Sequence, residues 1–220
     1  MTDNGVAPRL VIFDLDGTLY PRELYAELIL TVIGRGFAEL RGTTPGYAAR
    51  KVAELRELMR TDWSGTSTTS FMIENGFGVE EWQNFRVANL SIADGIQHDA
   101  AVVSELKRLR EVVPIALLTN NTRGSAKAIL DRIGVGVEGF AGVLTAEEVG
   151  RTPKPDSGAF RALLSRFELD ARYAWSVGDR YNIDIRGLRE LGGAGIAVDG
   201  PADLPEAVDL LIARVAPNQP

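Results

Sequence analysis

Residues 10–20 read LVIFDLDGTLY: four apolar residues run straight into two aspartates and a glycine. A run so short and so apolar is a buried strand, and the Gly17-Thr18 pair after the carboxylates marks a turn. Residues i and i+2 of a strand point the same way, so Asp14 and Asp16 leave the sheet as neighbours. Two carboxylates that close repel unless a cation or a shared proton compensates. A hard divalent cation such as Mg²⁺ is the natural compensation, because it takes oxygen ligands. Asp and Gly are also ordinary turn residues, so this stretch alone leaves a polar turn open and the rest of the chain decides.

At 220 residues the chain suits one large domain or a core with an insertion. Its 45% hydrophobic content is enough for a sizeable core. A net charge of −6 and the lack of a basic stripe argue against a nucleic-acid partner. With no cysteine, disulfides and thiolate metal sites are excluded. The single histidine, His98, rules out a multi-histidine metal centre and is expected near the hinge of the insertion, without chemistry. Trp63, Trp82 and Trp175 are expected to pack. No apolar stretch approaches the ~20 residues of a membrane span. MTDNGVAPR lacks the charged and apolar regions of a signal peptide, so a cytoplasmic location is the default expectation.

Residues 1–7 read as a frayed lead-in and 9–13 as the first strand. From 21 to 94 the pattern is helical: Leu24, Leu28, Ile29, Val32 and Ile33 share a face, as do Ala48, Val52, Leu55 and Met59. Thr44 is a candidate N-cap in the loop between them, 63–70 a hydroxyl-rich loop, and 71–74 and 80–88 short helical pieces. Strand–helix alternation then resumes, with strands at 115–119, 140–144, 174–177 and 195–198. The intervening helices carry Val102 to Val113, Ala126 to Ile133 (stopped by Gly134), Phe160 to Phe167 (capped by Asp156) and Ile185 to Leu191. A last helix is expected over 205–215, and 216–220 trail off. Alternation of this kind predicts an α/β three-layer sandwich with a parallel sheet, its core formed by 1–20 and 95–220, and a helical domain, 21–94, inserted after the first strand. Ligands bind at the carboxyl ends of such strands. Asp14 and Asp16, Thr119 and Asn120, and Gly178-Asp179 all stand at those ends and are expected to converge.

These residues resemble the motifs of the haloacid dehalogenase-like hydrolase superfamily. DLDGT resembles its first motif, LLTN (ending in Thr119-Asn120) the second, Lys154 in RTPKPD the third, and GDRYNID with Asp179 and Asp184 the fourth. The helical block between the first and second motifs is where one branch carries its cap. The resemblance implies a Rossmann-like core and assigns each residue a task. Asp14 would attack phosphorus and become an aspartyl-phosphate. Asp16, partly desolvated, would protonate the leaving oxygen and then take a proton from water. Mg²⁺ would be held by the Asp14 carboxylate, the Asp16 main-chain carbonyl and Asp179, with Asp184 anchoring metal-bound water or Lys154. Thr119 and the Asn120 backbone would hold phosphate oxygens, and Lys154 would supply a point charge. Taken singly, Thr119 reads as a strand-end hydroxyl, Lys154 as a surface lysine, Asp179 as a turn residue and Asp184 as an N-cap. Jointly those readings need four coincidences at strand ends.

Dehalogenases of the superfamily lack the second aspartate, so Asp16 favours phosphoryl transfer; phosphonate-cleaving relatives also lack it and use a cap lysine, and although Lys51 lies in the cap region here, Asp16 argues against that route. The expected substrate is a small phosphorylated metabolite selected by a cap that closes over the site. The hydroxyl-rich loop and FMIENGFGVEEW resemble pyrimidine 5′-nucleotidase-like members, which points to a nucleoside monophosphate; those members read DNT where this chain has Asp16-Gly17-Thr18. A phosphomutase acting on a sugar phosphate would share every motif. A phospho-receiver domain would carry its aspartate on the third strand and have no insertion, and a silent scaffold would be expected to have lost one of Asp14, Asp16, Lys154 or Asp179. No motif speaks to oligomeric state.

Overall fold

β1 (Leu10–Phe13), β2 (Ile115–Leu118) and β4 (Ala174–Gly178) are buried along their whole length. Strands covered on both faces lose polar alternation, which is why each is a nearly continuous apolar run. With β3 (Gly142–Leu144) and β5 (Ala194–Ala197) they form one parallel sheet in the order β3-β2-β1-β4-β5. The structure, a computed structural model, describes residues 2–63, 67–149 and 153–215. Ser64, Gly65 and Thr66 of the hydroxyl-rich stretch, Arg151 and Thr152 of the third motif, and the expected tail 216–220 lie outside the described residues.

β1 is central. The chain runs outward from it to β2 and β3, then returns to its other side as β4 and β5, so the strand order reverses between β1 and β4. This is where an open α/β sheet binds its ligands.

Between β1 and β2 come α1 (Arg22–Arg41), α2 (Pro45–Thr61), α3 (Thr68–Glu74), α4 (Val79–Asn89) and α5 (Ala100–Arg110). α6 (Arg123–Ile133) links β2 to β3, α7 (Ala146–Val149) and α8 (Ser157–Arg166) link β3 to β4, α9 (Arg186–Arg189) links β4 to β5, and α10 (Leu204–Val215) follows. One sheet face, with Leu10, Ile12, Ala116, Leu118 and Leu144, packs on Val149 of α7, on Phe160 and Leu163 of α8 and on Leu188 of α9. On the other side α5 lies against β2 and packs with α6 and α10. α6 ends at Gly134 with φ +99, and His98 packs over that glycine, where a Cβ would sit 2.4 Å from its ring.

The chain divides into two compact units, Met1–Arg22 with Ala93–Pro220, and Glu23–Ile92. The second is all helical. Thr44 caps α2 by accepting the Tyr47 N–H. Inside the unit, Phe37 meets Phe77 edge-on with ring centroids 5.1 Å apart, Trp82 is fully buried, and Arg41 pairs with Glu81 at 2.5 Å.

Two expectations need correction. The lead-in is tied down: Thr2 pairs antiparallel with Gly195 on the open edge of β5, and the Trp175 indole donates to Val6 O at 3.1 Å. An edge strand presents unpaired backbone groups, and Thr2 satisfies one pair of them. The hydroxyl-rich stretch is only partly loop, since Ser67 caps α3 and Thr68–Ser70 form its first turn. Hydroxyls favour N-caps because they bond the exposed N–H groups of the first turn. Among the described residues no helix is long and apolar enough to cross a membrane.

Candidate active site

Asp14 extends the ladder one residue beyond β1, its N–H donating to Val177 O at 2.9 Å. Thr119 does the same beyond β2, donating to Leu144 O at 3.0 Å. Sheet hydrogen bonds therefore fix the backbones that carry these two side chains. Gly17 has φ +80, and a Cβ there would lie 2.3 Å from Asp179 Oδ2. Only glycine combines that backbone conformation with so close a carboxylate. Beyond Gly178 the chain winds one π-turn, Tyr181–Ile185, rather than entering the expected α-helix directly. The turn carries Asp184 back against Gly178, where a Cβ would meet the aspartate's own Cβ at 2.3 Å.

Asp14, Asp179 and Asp184 are all buried, and each offers a carboxylate oxygen within 4.8 Å of the others. Lys154, itself 5% exposed, places Nζ 2.5 Å from Asp14 Oδ1 and 2.7 Å from Asp184 Oδ1. Asp184 Oδ2 accepts the Arg180 N–H at 2.9 Å, so both of its carboxylate oxygens are engaged. Burial first, then the charge of Asp184, pushes Asp14 up to about 8; Lys154 opposes this, while Asp16 and Asp179 add to it. Burial alone would lower Lys154, but Asp14 and Asp184 outweigh it and hold the ammonium above its ordinary range. Three buried carboxylates face the Lys154 ammonium, and the Arg180 guanidinium lies 4.0 Å from Asp179 Oδ1. The donor set is all oxygen, which fits a hard divalent cation.

The Asp16 side chain stands outside that cluster. The Tyr20 hydroxyl donates to its Oδ1 at 2.5 Å, and Asn121 Nδ2 lies 2.8 and 2.7 Å from its two oxygens. Thr119 is fully buried, and its Oγ1 accepts from the Asn121 backbone N–H at 3.1 Å. The Asn120 side chain brackets the Lys154 main chain, Nδ2 donating to its carbonyl at 2.9 Å and Oδ1 accepting its N–H at 3.0 Å. Asp14, Asp16, Thr119, Asn120, Lys154, Asp179 and Asp184 thus lie in this bonded constellation or at a strand end beside it, whereas Lys51, in α2, pairs with Glu54 at 2.8 Å. Sequence reasoning missed Asn121, Tyr20 and the side-chain work of Asn120. It also missed Thr18, which is fully buried and donates to Asp14 Oδ2 at 3.4 Å. A second asparagine after the end of β2, in TNNT, was the available signal for Asn121.

The family model described as haloacid dehalogenase-like hydrolase matches residues 8–192. No curated protein matches the chain. Among solved structures, YfnB from Bacillus subtilis, described as bound to magnesium, has a TM-score of 0.61 at 17% identity, over 93% of this chain and 99% of that one. A variant of CbbY from Rhodobacter sphaeroides, in complex with xylulose-1,5-bisphosphate, has a TM-score of 0.62 at 18% identity, over 88% and 87%. A 2-haloacid dehalogenase from Pseudomonas syringae has a TM-score of 0.55 at 24% identity, over 95% and 100%. These likenesses are of fold.

Proposed function

The chain belongs to the haloacid dehalogenase-like hydrolase family, and we propose that it is a Mg²⁺-dependent phosphatase of a small phosphorylated metabolite. The observation that carries this reading is Lys154 bridging Asp14 and Asp184 inside a buried acidic cluster, with a second aspartate, Asp16, held apart from it. Asp14 is the nucleophile: its carboxylate oxygen bonds to phosphorus while the ester P–O bond breaks towards the leaving oxygen. Asp16 gives that oxygen a proton, so an alcohol leaves. Asp16, now a carboxylate, takes a proton from water; the water oxygen bonds to phosphorus and the electron pair of the acyl-phosphate bond returns to Asp14. Thr119 donates to the phosphate oxygens, and Lys154 offsets charge beside Asp14. Asp14, Asp179 and the Asp16 main-chain carbonyl would hold Mg²⁺, supported by Asp184; when bound it neutralises the repulsion between two approaching anions.

Asp16 separates this chemistry from dehalogenation, for which no leaving oxygen needs a proton. Residues 21–94 are the cap in this reading, and their side chains select the leaving group. The resemblance to nucleotidase-like members supports nucleoside monophosphates as candidate substrates, and the sugar bisphosphate bound by CbbY supports including sugar phosphates.

The test is phosphate release from a panel of nucleoside monophosphates and sugar phosphates, with Mg²⁺ and with EDTA, beside Asp14→Asn. Turnover that needs Mg²⁺ and disappears in Asp14→Asn is expected. Turnover that survives Asp14→Asn would sink the nucleophile assignment, and phosphate transfer between sugar hydroxyls without release would make the protein a mutase.

A further inference from the structure

Asn121 is 5% exposed, and the chemistry above gives it no task. Its one amide nitrogen serves two catalytic groups at once. Nδ2 lies 2.8 and 2.7 Å from the oxygens of Asp16 and 3.3 Å from Thr119 Oγ1. The backbone N–H of the same residue donates to that Oγ1 at 3.1 Å. A side-chain amide has two hydrogens, so one can serve Asp16 while the other serves Thr119. Thr119 Oγ1 then accepts twice. Both its lone pairs are used, and its single hydrogen is directed to a third atom. On Asp16, Oδ1 accepts from Tyr20 at 2.5 Å and shares the Asn121 amide, while Oδ2 faces the amide alone.

We propose that Asn121 is a positioning residue whose amide fixes the acid–base carboxyl of Asp16 and orients the Thr119 hydroxyl as a donor to phosphate. The proposal rests on the phosphatase reading, in which Asp16 protonates the leaving oxygen and Thr119 holds the phosphoryl group. In that reading Asp16 passes a proton to the leaving oxygen as that oxygen takes the electron pair of the breaking P–O bond, and the Asn121 amide holds the carboxyl in place for the transfer. Tyr20 assists at Asp16, donating to its Oδ1.

The experiment measures kcat/KM with Mg²⁺ for a series of phosphate esters of rising leaving-group pKa, from p-nitrophenyl phosphate to simple alkyl phosphates. Wild type is compared with Asn121→Ala, Tyr20→Phe and Asp16→Asn, and thermal unfolding checks that each variant folds. A p-nitrophenolate leaves without a proton, so loss of a positioned acid falls mainly on the alkyl esters, where about 10²-fold is expected. The dependence on leaving-group pKa therefore steepens in Asn121→Ala towards that of Asp16→Asn. Inhibition by inorganic phosphate weakens in Asn121→Ala but not in Tyr20→Phe, because only the former disturbs Thr119. A uniform drop across all esters, with an unchanged slope and unchanged phosphate inhibition, would overturn the proposal and leave the phosphatase reading standing. Turnover that persists in Asp14→Asn would overturn both. Should Asn121→Ala fail to fold, Asn121→Asp replaces it: the near-isosteric carboxylate repels Asp16, and the same steeper slope is expected.

Discussion

Gly17 sits directly against the acidic cluster. Its φ of +80 suits glycine, and a Cβ would meet Asp179 Oδ2 at 2.3 Å. Gly17→Ala is expected to lose about 1–2 kcal/mol from the left-handed backbone alone. It should also weaken Mg²⁺ binding, because the carboxylate must move away. Urea unfolding in EDTA measures the first effect, and Mg²⁺ titration of the thermal midpoint measures the second. Lys154 makes a different point about residues. Read singly, a lysine belongs at the surface, and what buries this one is a pair of carboxylates distant in sequence that only the fold brings to it.

At the scale of elements, the segment after β2 ties the site together. Asn120 faces Lys154 and Asn121 faces Asp16, so consecutive side chains hold two separate parts of the machinery. Asn120→Ala removes both hydrogen bonds to the Lys154 main chain and lets the ammonium drift from Asp14. A displacement of about 1 Å at a reacting centre costs about 10²-fold, and a loss of that order in kcat/KM is expected. Steady-state kinetics on the best ester checks it, with little change in thermal unfolding because Asn120 is only partly buried. The strands were legible from their apolar runs, each within two residues of its expected bounds at either end. The start of α3 was not, because Ser and Thr read equally well as loop or as the capped first turn of a helix. The π-turn at Tyr181–Ile185 was missed as well, since its apolar residues fit ordinary helical spacing.

For the whole molecule, the buried cluster couples stability to pH and to metal. Asp14 is held at about 8 against an ordinary 3.8, so the folded protein keeps a proton that the unfolded chain releases. Its contribution is full below about 4 and is lost as pH rises through about 8. In EDTA the thermal midpoint should therefore fall across that window more steeply for wild type than for Asp14→Asn. A cation bound by the folded state alone raises the midpoint, and Mg²⁺ should offset the decline most at the alkaline end, where Asp14 is ionised. Scanning calorimetry with and without Mg²⁺ checks both signs. The sequence by itself determined the parallel α/β core, the helical block after the first strand and the identity of the acidic and basic groups at the strand ends. Those are local properties: apolar runs need burial, helical spacing makes a face, and carboxylates at strand ends need compensation. The resemblance left Asp184 to metal-bound water or Lys154, and tertiary structure alone seats it with Asp14 on Lys154, stands Asp16 apart between Tyr20 and Asn121, and pairs Thr2 with Gly195 on the edge of β5. Each of these joins residues through side-chain geometry or strand crossings that no local pattern encodes, so they exist only once the chain has closed on itself.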